Sequence, residues 1–411
     1  MLYKKTILTI SYGDYTKGSG GTDKVILSHQ KILNENGYNC VHFSPFKFSF
    51  WNILLNGKFC GIYSNQRIKE LLFKLDKVSA IFIHHLKNVN IELLSDILEY
   101  CNAPIFYYIH DYYTICPSSG LIREDGTFCG NGFPSKNKCE NCTFFIKSSQ
   151  LLKDTRSFID KYNKRITFIA PSDSAKEVWI KDYPEYQGKV NVIYHQNLLG
   201  EYYGNSHILK NEEPLKIGFI GYQKPLKGWS QFKKTAERVK KLSLHECLYQ
   251  FGWGTDKLTN VEQINVDFKK NITAMTDSLR KKDIHVAVIW STCPETYSYT
   301  YYEALAANCF VVTNKISGNV CSQVQNRRNG IVIDELSEII CNENKLRKLV
   351  NEFRTNGHIT PAILKENERF LSLIPNTFWK SPKVKNTFDL SLILSIVIKE
   401  KEKIKFFVKK F

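Results

Sequence analysis

Residues Cys293–Thr313 read CPETYSYTYYEALAANCFVVT, and their pattern decides which fold the chain is expected to adopt. The residues just before them, Ile284–Trp290, are apolar and rich in β-branched side chains, as in a buried parallel strand, and the last five residues of the stretch have the same character. Between these strands lie a loop that carries Glu295 and a short helical pattern, Thr300–Ala307, that carries Glu303. The stretch therefore predicts a strand, an acidic loop, a helix and a second strand, with two carboxylates eight positions apart.

The start of the predicted helix suits an anionic ligand. Ser298 or Thr300 is placed to cap this helix, whose N-terminus offers unpaired N–H groups and about half a positive charge. Glu295 follows a strand, at the edge where open α/β sheets bind their ligands, and Glu303 can accept hydrogen bonds from a diol such as ribose. A phosphorylated sugar carrier fits these features. In the alternative interpretation, Glu295 is a solvated loop residue and Glu303 is an ordinary helix-surface residue.

The same segment resembles a known enzyme motif. Pro-Glu-Thr, then Ser-x-Thr, then Glu-Ala-Leu-Ala is similar to the Glu-x7-Glu segment of glycosyltransferase family 4, which contains retaining enzymes of the GT-B fold. The resemblance implies an α/β chain whose two Rossmann-like domains face each other across a cleft. It also implies that Glu295 contacts the transferred sugar, that Glu303 binds the ribose, and that backbone groups of Ser298, Tyr299 and Thr300 bind the phosphates.

Composition bounds the class of protein and its partners. The chain has 411 residues, enough for two domains, and its 43% hydrophobic and 24% charged residues are ordinary for a globular protein. A net charge of +17 predicts attraction to nucleic acid, to an acidic leaflet or to phosphorylated substrates. The basic residues are dispersed, and no recognition-helix, RRM or zinc-finger spacing accompanies them. We therefore expect no nucleic-acid partner.

The two ends of the chain bear on its location. Met1–Tyr12 has no signal-peptide pattern, and the apolar stretch Phe388–Ile398 falls well short of the roughly 20 residues of a membrane span, so we expect a cytoplasmic protein. The tail Phe388–Phe411 mixes apolar residues with six lysines. This pattern predicts either attachment to an anionic membrane surface, here the inner face of the cytoplasmic membrane, or a terminal helix packed back on the first domain.

Strand and helix patterns alternate in two series, which predicts two domains. The polar segment Ser206–Pro214 separates residues 1–205, on the acceptor side, from residues 214–375, on the nucleotide-sugar side, and residues 376–411 are the basic helical tail. Phe46–Ile62 is rich in aromatic residues and is expected to pack against the other domain or a membrane.

The first series begins with a glycine-rich turn. The strand Lys5–Ser11 is followed by Gly18-Ser19-Gly20-Gly21, and Thr22 is expected to cap the next helix. The turn lacks the G-x-G-x-x-G spacing of dinucleotide sites, so a flexible turn is the alternative interpretation. In family 4 a Gly-Gly loop at this place approaches the donor phosphates and the acceptor, and Gly20 and Gly21 match it.

Two predicted strands end in histidines, His84-His85 and His110-Asp111. A histidine at the carboxyl end of a parallel strand lies on the ligand side of the sheet, whereas the alternative is a hydrogen-bonded core histidine. His110-Asp111 matches a family motif that lines the acceptor side of the cleft. The resemblance thus places His110 near the reacting centre.

A polar insertion, residues 112–145, carries four cysteines, Cys116, Cys129, Cys139 and Cys142. The C-x2-C pair at its end suggests tetrahedral structural zinc, but the other spacings are irregular, and plain thiols or disulfides remain as alternatives. Some family members resemble this arrangement, and we expect the insertion to act here as a structural flap over the acceptor site.

The second series begins with the strand Leu215–Ile220 and a basic turn that contains Lys224 and Lys227. Lysines beside glycines at a strand-to-helix turn suggest phosphate contact, and the alternative is a solvated basic loop. Family 4 has an arginine and a lysine here that bind the donor diphosphate. Lys227 before Gly228 matches the lysine, but no arginine is present.

These features predict a hexosyltransferase-type enzyme that moves a sugar from a nucleotide-diphosphate donor to a hydroxyl of a glycan or lipid-linked acceptor. The resemblance is to bacterial enzymes of surface-polysaccharide synthesis and implies retention of configuration. The resemblance also implies that Lys227 and the helix start after Glu295 stabilise the leaving group without a bound metal, and the lack of a D-x-D-type acidic pair at a strand end fits this. Because the arginine is missing, the alternative is a non-catalytic subunit of the same fold that binds a sugar or nucleotide.

Overall fold

The computed structural model describes residues 5–18, 20–75, 77–130, 135, 139–203, 207–268, 270–356, 359–380, 382 and 395. The α-helices in these ranges are α1 (Gly21–Glu35), α2 (Asn65–Leu75), α3 (Ile91–Tyr100), α4 (Phe145–Tyr162), α5 (Asp173–Ile180), α6 (Trp229–Lys241), α7 (Ala274–Lys282), α8 (Tyr299–Ala306), α9 (Asn319–Arg327), α10 (Leu336–Ile340) and α11 (Glu343–Thr355). In the described part of the chain, no helix combines the length and apolar composition needed to cross a membrane.

The strands are β1 (Thr6–Ile10), β2 (Asn39–Phe46), β3 (Phe50–Leu55), β4 (Lys58–Tyr63), β5 (Lys77–Ile83), β6 (Ile105–Tyr108), β7 (Ile166–Ala170), β8 (Val190–Val192), β9 (Gln196–Leu199), β10 (Tyr202–Tyr203), β11 (Lys216–Ile220), β12 (Cys247–Phe251), β13 (Val261–Ile264), β14 (Val286–Val288), β15 (Phe310–Thr313), β16 (Gly330–Val332), β17 (Ile359–Thr360), β18 (Ile363–Glu366) and β19 (Trp379–Lys380). Most alternate with helices, as the sequence pattern predicts.

The first sheet is built on parallel strands. Its order is β4-β3-β2-β1-β5-β6-β7-β8, with β3 and β4 antiparallel at one edge. Side chains of β1 alternate between two cores, so that Ile7 packs on one face and Leu8 on the other. Helices on both faces cover the sheet, which explains the nearly continuous apolar composition of its central strands.

The second sheet is parallel, with the order β13-β12-β11-β14-β15-β16. This is the strand order of a doubly wound sheet. Such sheets bind ligands at the point where the strand order reverses, here between β11 and β14. Phe219 and Ile220 at the end of β11 face opposite cores. The loop with Lys227 follows β11, and the loop with Glu295 follows β14, so both loops lie at this position.

The chain returns to the first sheet after the second is complete. The short strands β17 and β18 pair with β10 and β9, and β19 then pairs antiparallel with β5. Phe370 and Ile374 pack with Ile7 and Phe82 in the core of the first sheet. The predicted crossing back to the first domain is therefore present, and up to Lys380 it is made by the short 3-10 helix Arg369–Leu373 and the strand β19. The basic tail 388–411 lies outside the described residues, apart from residue 395.

The aromatic segment Phe46–Ile62 differs from its prediction. It forms most of the antiparallel hairpin β3–β4, which extends the first sheet. Trp51 is buried beside Phe43, and its Nε1 donates to Asn65 at 2.8 Å. The aromatic side chains thus indicated an added pair of strands, because aromatic residues are common in strands whose alternate side chains face a core.

Candidate active site

The loop after β14 joins Glu295 to Lys227. Lys227 Nζ donates to Glu295 Oε1 at 2.5 Å, and Ser291 Oγ donates to the same oxygen. The Glu295 side chain is 13% exposed and that of Lys227 is 40% exposed, so the pair lies at the edge of solvent. The sequence assigned both residues to one donor site, and the structure brings them together.

Electrostatics keeps both members of this pair charged. Burial alone would raise the pKa of Glu295, but the Lys227 ammonium and the hydrogen bonds from Lys227 and Ser291 outweigh burial and lower that pKa. Burial alone would lower the pKa of Lys227, but Glu295 outweighs it and raises that pKa. A carboxylate and an ammonium therefore stand side by side at neutral pH, ready to bind hydroxyls and phosphate oxygens, respectively.

The loop that carries Glu295 is held by the turn before α9. Asn319 N donates to the backbone oxygen of Glu295 at 2.9 Å, and the Asn319 side chain donates to Tyr297 O at 2.7 Å. Gly318 has φ +58°, and a Cβ there would lie 2.7 Å from the backbone N and O of Glu295. Because only glycine allows this approach without a shift, the turn fixes where the Glu295 backbone lies.

The start of α8 differs in one respect from the prediction. Ser298 precedes the helix, but its side chain makes no capping hydrogen bond, and its backbone is left-handed, with φ 70°. Ser298 Oγ instead lies 3.1 Å from Thr300 Oγ1, so neither hydroxyl caps the helix. The N–H groups of the first turn lack intrahelical acceptors, as at any helix start, and remain suited to an anion.

Glu303 lies about one turn into α8, as predicted, but its ion-pair partner was not predicted. Lys24 Nζ, from α1 of the other domain, donates to Glu303 Oε1 at 3.0 Å, and the two side chains are only 6% and 9% exposed. Lys24 Nζ also lies 4.0 Å from the centre of the Tyr299 ring. Sequence reasoning missed Lys24 because its partner lies 279 positions away. Its signal was a lysine next to the apolar face of the helix that follows the Gly-Gly turn.

The other residues predicted to bind the donor are Gly20 and Gly21, at the start of α1, and Lys224. Gly20 precedes α1 in place of the expected Thr22, and its N–H donates to Asp23 at 3.0 Å. A Cβ at Gly21 would meet nothing within 4 Å, so space remains beside the turn. Lys224 is exposed, 5.9 Å from the Tyr222 ring centre.

His110 lies on the opposite side of the cleft among other histidines. Its Nε2 is 2.9 Å from His84 Nδ1, and its ring is 5.7 Å from that of His195. His29 extends the group, with its ring 5.6 Å from that of His84. We call these four residues, His29, His84, His110 and His195, the histidine cluster. Sequence reasoning found only the two members that follow strands β5 and β6, His84 and His110.

The histidine cluster is uncharged at neutral pH. Burial lowers the pKa of His29 and of His195 to about 3, and burial together with the other histidines lowers the pKa of His84 and of His110 well below the usual value. Beside the cluster, His85 Nε2 lies 2.9 Å from Asp111 Oδ2, and this contact offsets burial and lowers the pKa of Asp111. His110 thus offers the cleft a neutral imidazole.

Hydrogen bonds connect the two sides of the cleft next to these groups. Thr296 Oγ1 donates to the backbone oxygen of His110 at 2.7 Å, and Ser172 Oγ donates to Thr296 O at 2.6 Å. Thr296 follows Glu295 directly, so the loop of the second sheet is anchored beside His110 of the first. The loop that carries Glu295 and the residues after β6 that carry His110 are therefore in direct contact.

The four cysteines of the insertion do not form a metal site among the described residues, where no group of three or more ligand-type side chains gathers. Cys116 Sγ lies 3.7 Å from Ser148 Oγ, and Cys129 Sγ lies 2.9 Å from the backbone oxygen of Leu121. None of the four cysteines is joined in a disulfide. The structural zinc site stays a prediction, and zinc has no part in the mechanism below.

No protein-family model matches the chain, and a search of curated proteins found no match. Solved structures do resemble it. HepE of Anabaena in complex with UDP-glucose superimposes with a TM-score of 0.55 and 13% identity over 86% of this chain and 93% of that chain. Sucrose-phosphate synthase of Thermosynechococcus elongatus gives 0.57 and 12% over 90% and 95%, respectively. A glycosyltransferase of Rickettsia africae gives 0.50 and 13% over 86% and 94%.

These similarities establish the architecture. The chain has the GT-B fold, with two Rossmann-like domains, as the sequence predicted. In this fold the cleft runs between the carboxyl edges of the two sheets, where Glu295, Lys227 and His110 lie.

Proposed function

We propose that the protein is a retaining glycosyltransferase of family 4, which moves a sugar from a nucleotide-diphosphate sugar to a hydroxyl of a glycan or lipid-linked acceptor. The observation that carries this proposal is the Lys227–Glu295 pair, 2.5 Å apart at the switch point of the second sheet, on a loop anchored to His110. A fixed cation beside a fixed carboxylate is what a sugar phosphate needs, because the phosphate and the sugar hydroxyls are bound by opposite charges.

Each residue has a defined role in this proposal. Lys227 and the N–H groups of Ser298, Tyr299 and Thr300 bind the diphosphate, and Gly20 and Gly21 leave room for it beside α1. Glu295 accepts hydrogen bonds from the transferred sugar, and Glu303 accepts them from the ribose. Lys224, exposed at the mouth of the loop, adds positive potential rather than a fixed contact.

In the reaction, the bond between the sugar C1 and the phosphate oxygen breaks, and a bond from C1 to the acceptor oxygen forms. The nucleoside diphosphate and the acceptor's proton are released. Lys227 and the start of α8 stabilise the negative charge that develops on the leaving diphosphate. His110 is neutral because burial lowers its pKa, so it contacts the reacting hydroxyl on the acceptor side as a hydrogen-bonding group and not as a cation.

The cellular context belongs to the same proposal. HepE was solved with UDP-glucose, which makes UDP-sugars the first donors to test. The net charge of +17 and the lysine-rich tail support work on lipid-linked acceptors of surface-polysaccharide synthesis at the inner face of the cytoplasmic membrane.

A thermal-shift panel tests the donor assignment. UDP, GDP, dTDP and ADP are added to the wild type, to Glu303→Ala and to Glu237→Ala, a control on the exposed face of α6. We expect one nucleotide to raise the melting temperature of the wild type and of the control, and Glu303→Ala to lose that rise. If no nucleotide stabilises the wild type, the proposed function is wrong.

A further inference from the structure

Lys24 is a buried cation of the first domain, whereas its ion-pair partner belongs to the second domain. It lies in the first turn of α1, three residues after Gly21, and its N–H donates to Gly20 O at 3.1 Å. Its side chain leaves the first domain and reaches Glu303 in α8 of the second. With 6% of the Lys24 side chain exposed, the ammonium depends on protein groups or on a ligand for its charge balance.

The surroundings of this ammonium belong to the proposed donor site. Besides Glu303, they include the Tyr299 ring at 4.0 Å and the Phe268 ring at 5.6 Å. The carboxylate of Glu366 accepts from Ser28 Oγ at 2.9 Å and interacts electrostatically with Lys24. Tyr299 begins α8, so Lys24 stands between the proposed ribose ligand, Glu303, and the helix start proposed for the diphosphate.

The basic turn of the second domain leaves one phosphate contact unassigned. It supplies Lys227, whereas Gln223 is held away by two hydrogen bonds with the backbone of Asp256, at 2.7 and 2.9 Å. A diphosphate carries charge on both phosphates, and a single lysine acts as one point charge. A second cation near Tyr299 would complete the charge balance.

We propose that Lys24 is that second cation, a donor-binding residue contributed by the first domain. It pairs with Glu303 when the cleft holds no nucleotide, and it pairs with the donor diphosphate when the ribose hydroxyls bind Glu303. The inference rests on the proposed function, because it requires a nucleotide in this cleft. It assigns to α1 a side-chain contact in addition to the Gly-Gly turn, and it links donor binding to both domains.

Binding of a nucleoside and of its diphosphate to the same variant tests this role. Isothermal titration calorimetry compares UDP with uridine, and likewise the guanine, adenine and thymine pairs, on wild type and Lys24→Met. We expect Lys24→Met to weaken the diphosphate about tenfold or more, the usual size for a lost charged hydrogen bond, and the nucleoside less than about twofold. Lys24→Arg, which keeps the charge, should retain most of the diphosphate affinity.

Controls separate this role from folding and from the proposed function. Lys31→Met removes an exposed lysine of the same helix and should change neither affinity. If Lys24→Met fails to fold because Glu303 is left without a counter-charge, the double variant Lys24→Met/Glu303→Gln replaces it. Loss of the ribose contact then weakens both ligands, and the diphosphate should still lose about tenfold more affinity than the nucleoside. Equal changes for nucleoside and diphosphate would show that Lys24 only competes for Glu303, and would overturn this inference alone. Failure of every diphosphate to bind the wild type would overturn the proposed function as well.

Discussion

The ammonium of Lys24 lies 3.0 Å from the carboxylate of Glu303, and this ion pair links α1 of the first domain to α8 of the second. Both side chains are less than one-tenth exposed. A buried ion pair contributes little net stability, but removal of one partner leaves an uncompensated charge. The contact between the two domains should therefore be more stable when both charges are present, or both are absent, than when only one remains.

This dependence predicts the outcome of a double-mutant cycle. Lys24→Met should lower the free energy of unfolding by on the order of 2 kcal/mol. This is less than the cost of breaking an ion pair inside one domain core, because opening of the cleft exposes Glu303 to water. The double variant Lys24→Met/Glu303→Gln should recover most of this loss, since no charge is left unpaired. Urea unfolding monitored by circular dichroism measures both values. Simple addition of the two single effects would contradict the coupling.

Glu295 offers a test that separates catalysis from nucleotide binding. Glu295→Gln keeps the size of the side chain and removes the charge that balances Lys227 and faces the transferred sugar. We expect kcat to fall by about a hundredfold or more, the scale seen when a fixed charge at a reacting centre is lost. The affinity for the nucleoside diphosphate should stay equal or increase, because Lys227 no longer shares its charge.

The measurement requires two assays on the same preparation. Product formation from the donor that the nucleotide panel identifies gives kcat, and calorimetry with the nucleoside diphosphate gives Kd. Glu237→Gln, on the exposed face of α6, should match the wild type in both. A loss of nucleotide affinity equal to the loss of kcat would instead make Glu295 a residue of the nucleotide site.

Local sequence patterns predicted most of the elements. The predicted strands Lys5–Ser11 and Leu215–Ile220 agree with β1 and β11 to within one residue at each end, because each is an apolar run followed by a clear turn signal. The Lys227–Glu295 contact could also be predicted from the sequence, since both residues follow central strands of one sheet.

What the sequence did not predict depends on how the two domains meet. Lys24, Ser28 and His195 carry no local signal of the groups they contact, because Glu303, Glu366 and Tyr299 come from the other domain. Predictions for the Ser298 and Thr300 caps were wrong because a left-handed backbone at Ser298 turns its side chain away from the helix N–H groups.

The buried histidines predict how stability depends on pH. Burial lowers the pKa of His29 to about 3 and that of His42 to about 4, whereas an unfolded chain has values near 6.5. Between these limits the unfolded chain binds protons that the native protein does not, so the free energy of unfolding rises with pH. The stability should be complete above about pH 6.5 and should fall as the pH drops to about 4.

Denaturant unfolding at a series of pH values between these limits measures the slope. Each such histidine contributes up to about 1.4 kcal/mol per pH unit, and His29→Gln should reduce the slope by about one proton. His245→Gln, a substitution of an exposed histidine, serves as the control for the loss of an imidazole. A wild-type protein equally stable at both limits would contradict the burial of neutral histidines in the cleft.

Two glycines with nearly the same backbone conformation separate strain from steric contact. Gly228, next to Lys227, has φ +81°, and a Cβ there would lie 2.1 Å from the backbone oxygen of Trp290. Gly37, after α1, has φ +80°, and a Cβ there would meet nothing within 4 Å. Gly37→Ala should therefore cost only the left-handed backbone term, about 1 kcal/mol in free energy of unfolding.

Gly228→Ala should cost that amount plus the displacement of the Trp290 backbone, for a total of about 3 kcal/mol or more. Trp290 leads into the loop that carries Glu295, so the same substitution should also weaken nucleotide binding, whereas Gly37→Ala should leave it unchanged. Urea unfolding and calorimetry with the nucleoside diphosphate measure the two effects. Equal destabilisation by the two substitutions would mean that the turn before α6 can move away from Trp290, and that it does not fix the position of Lys227.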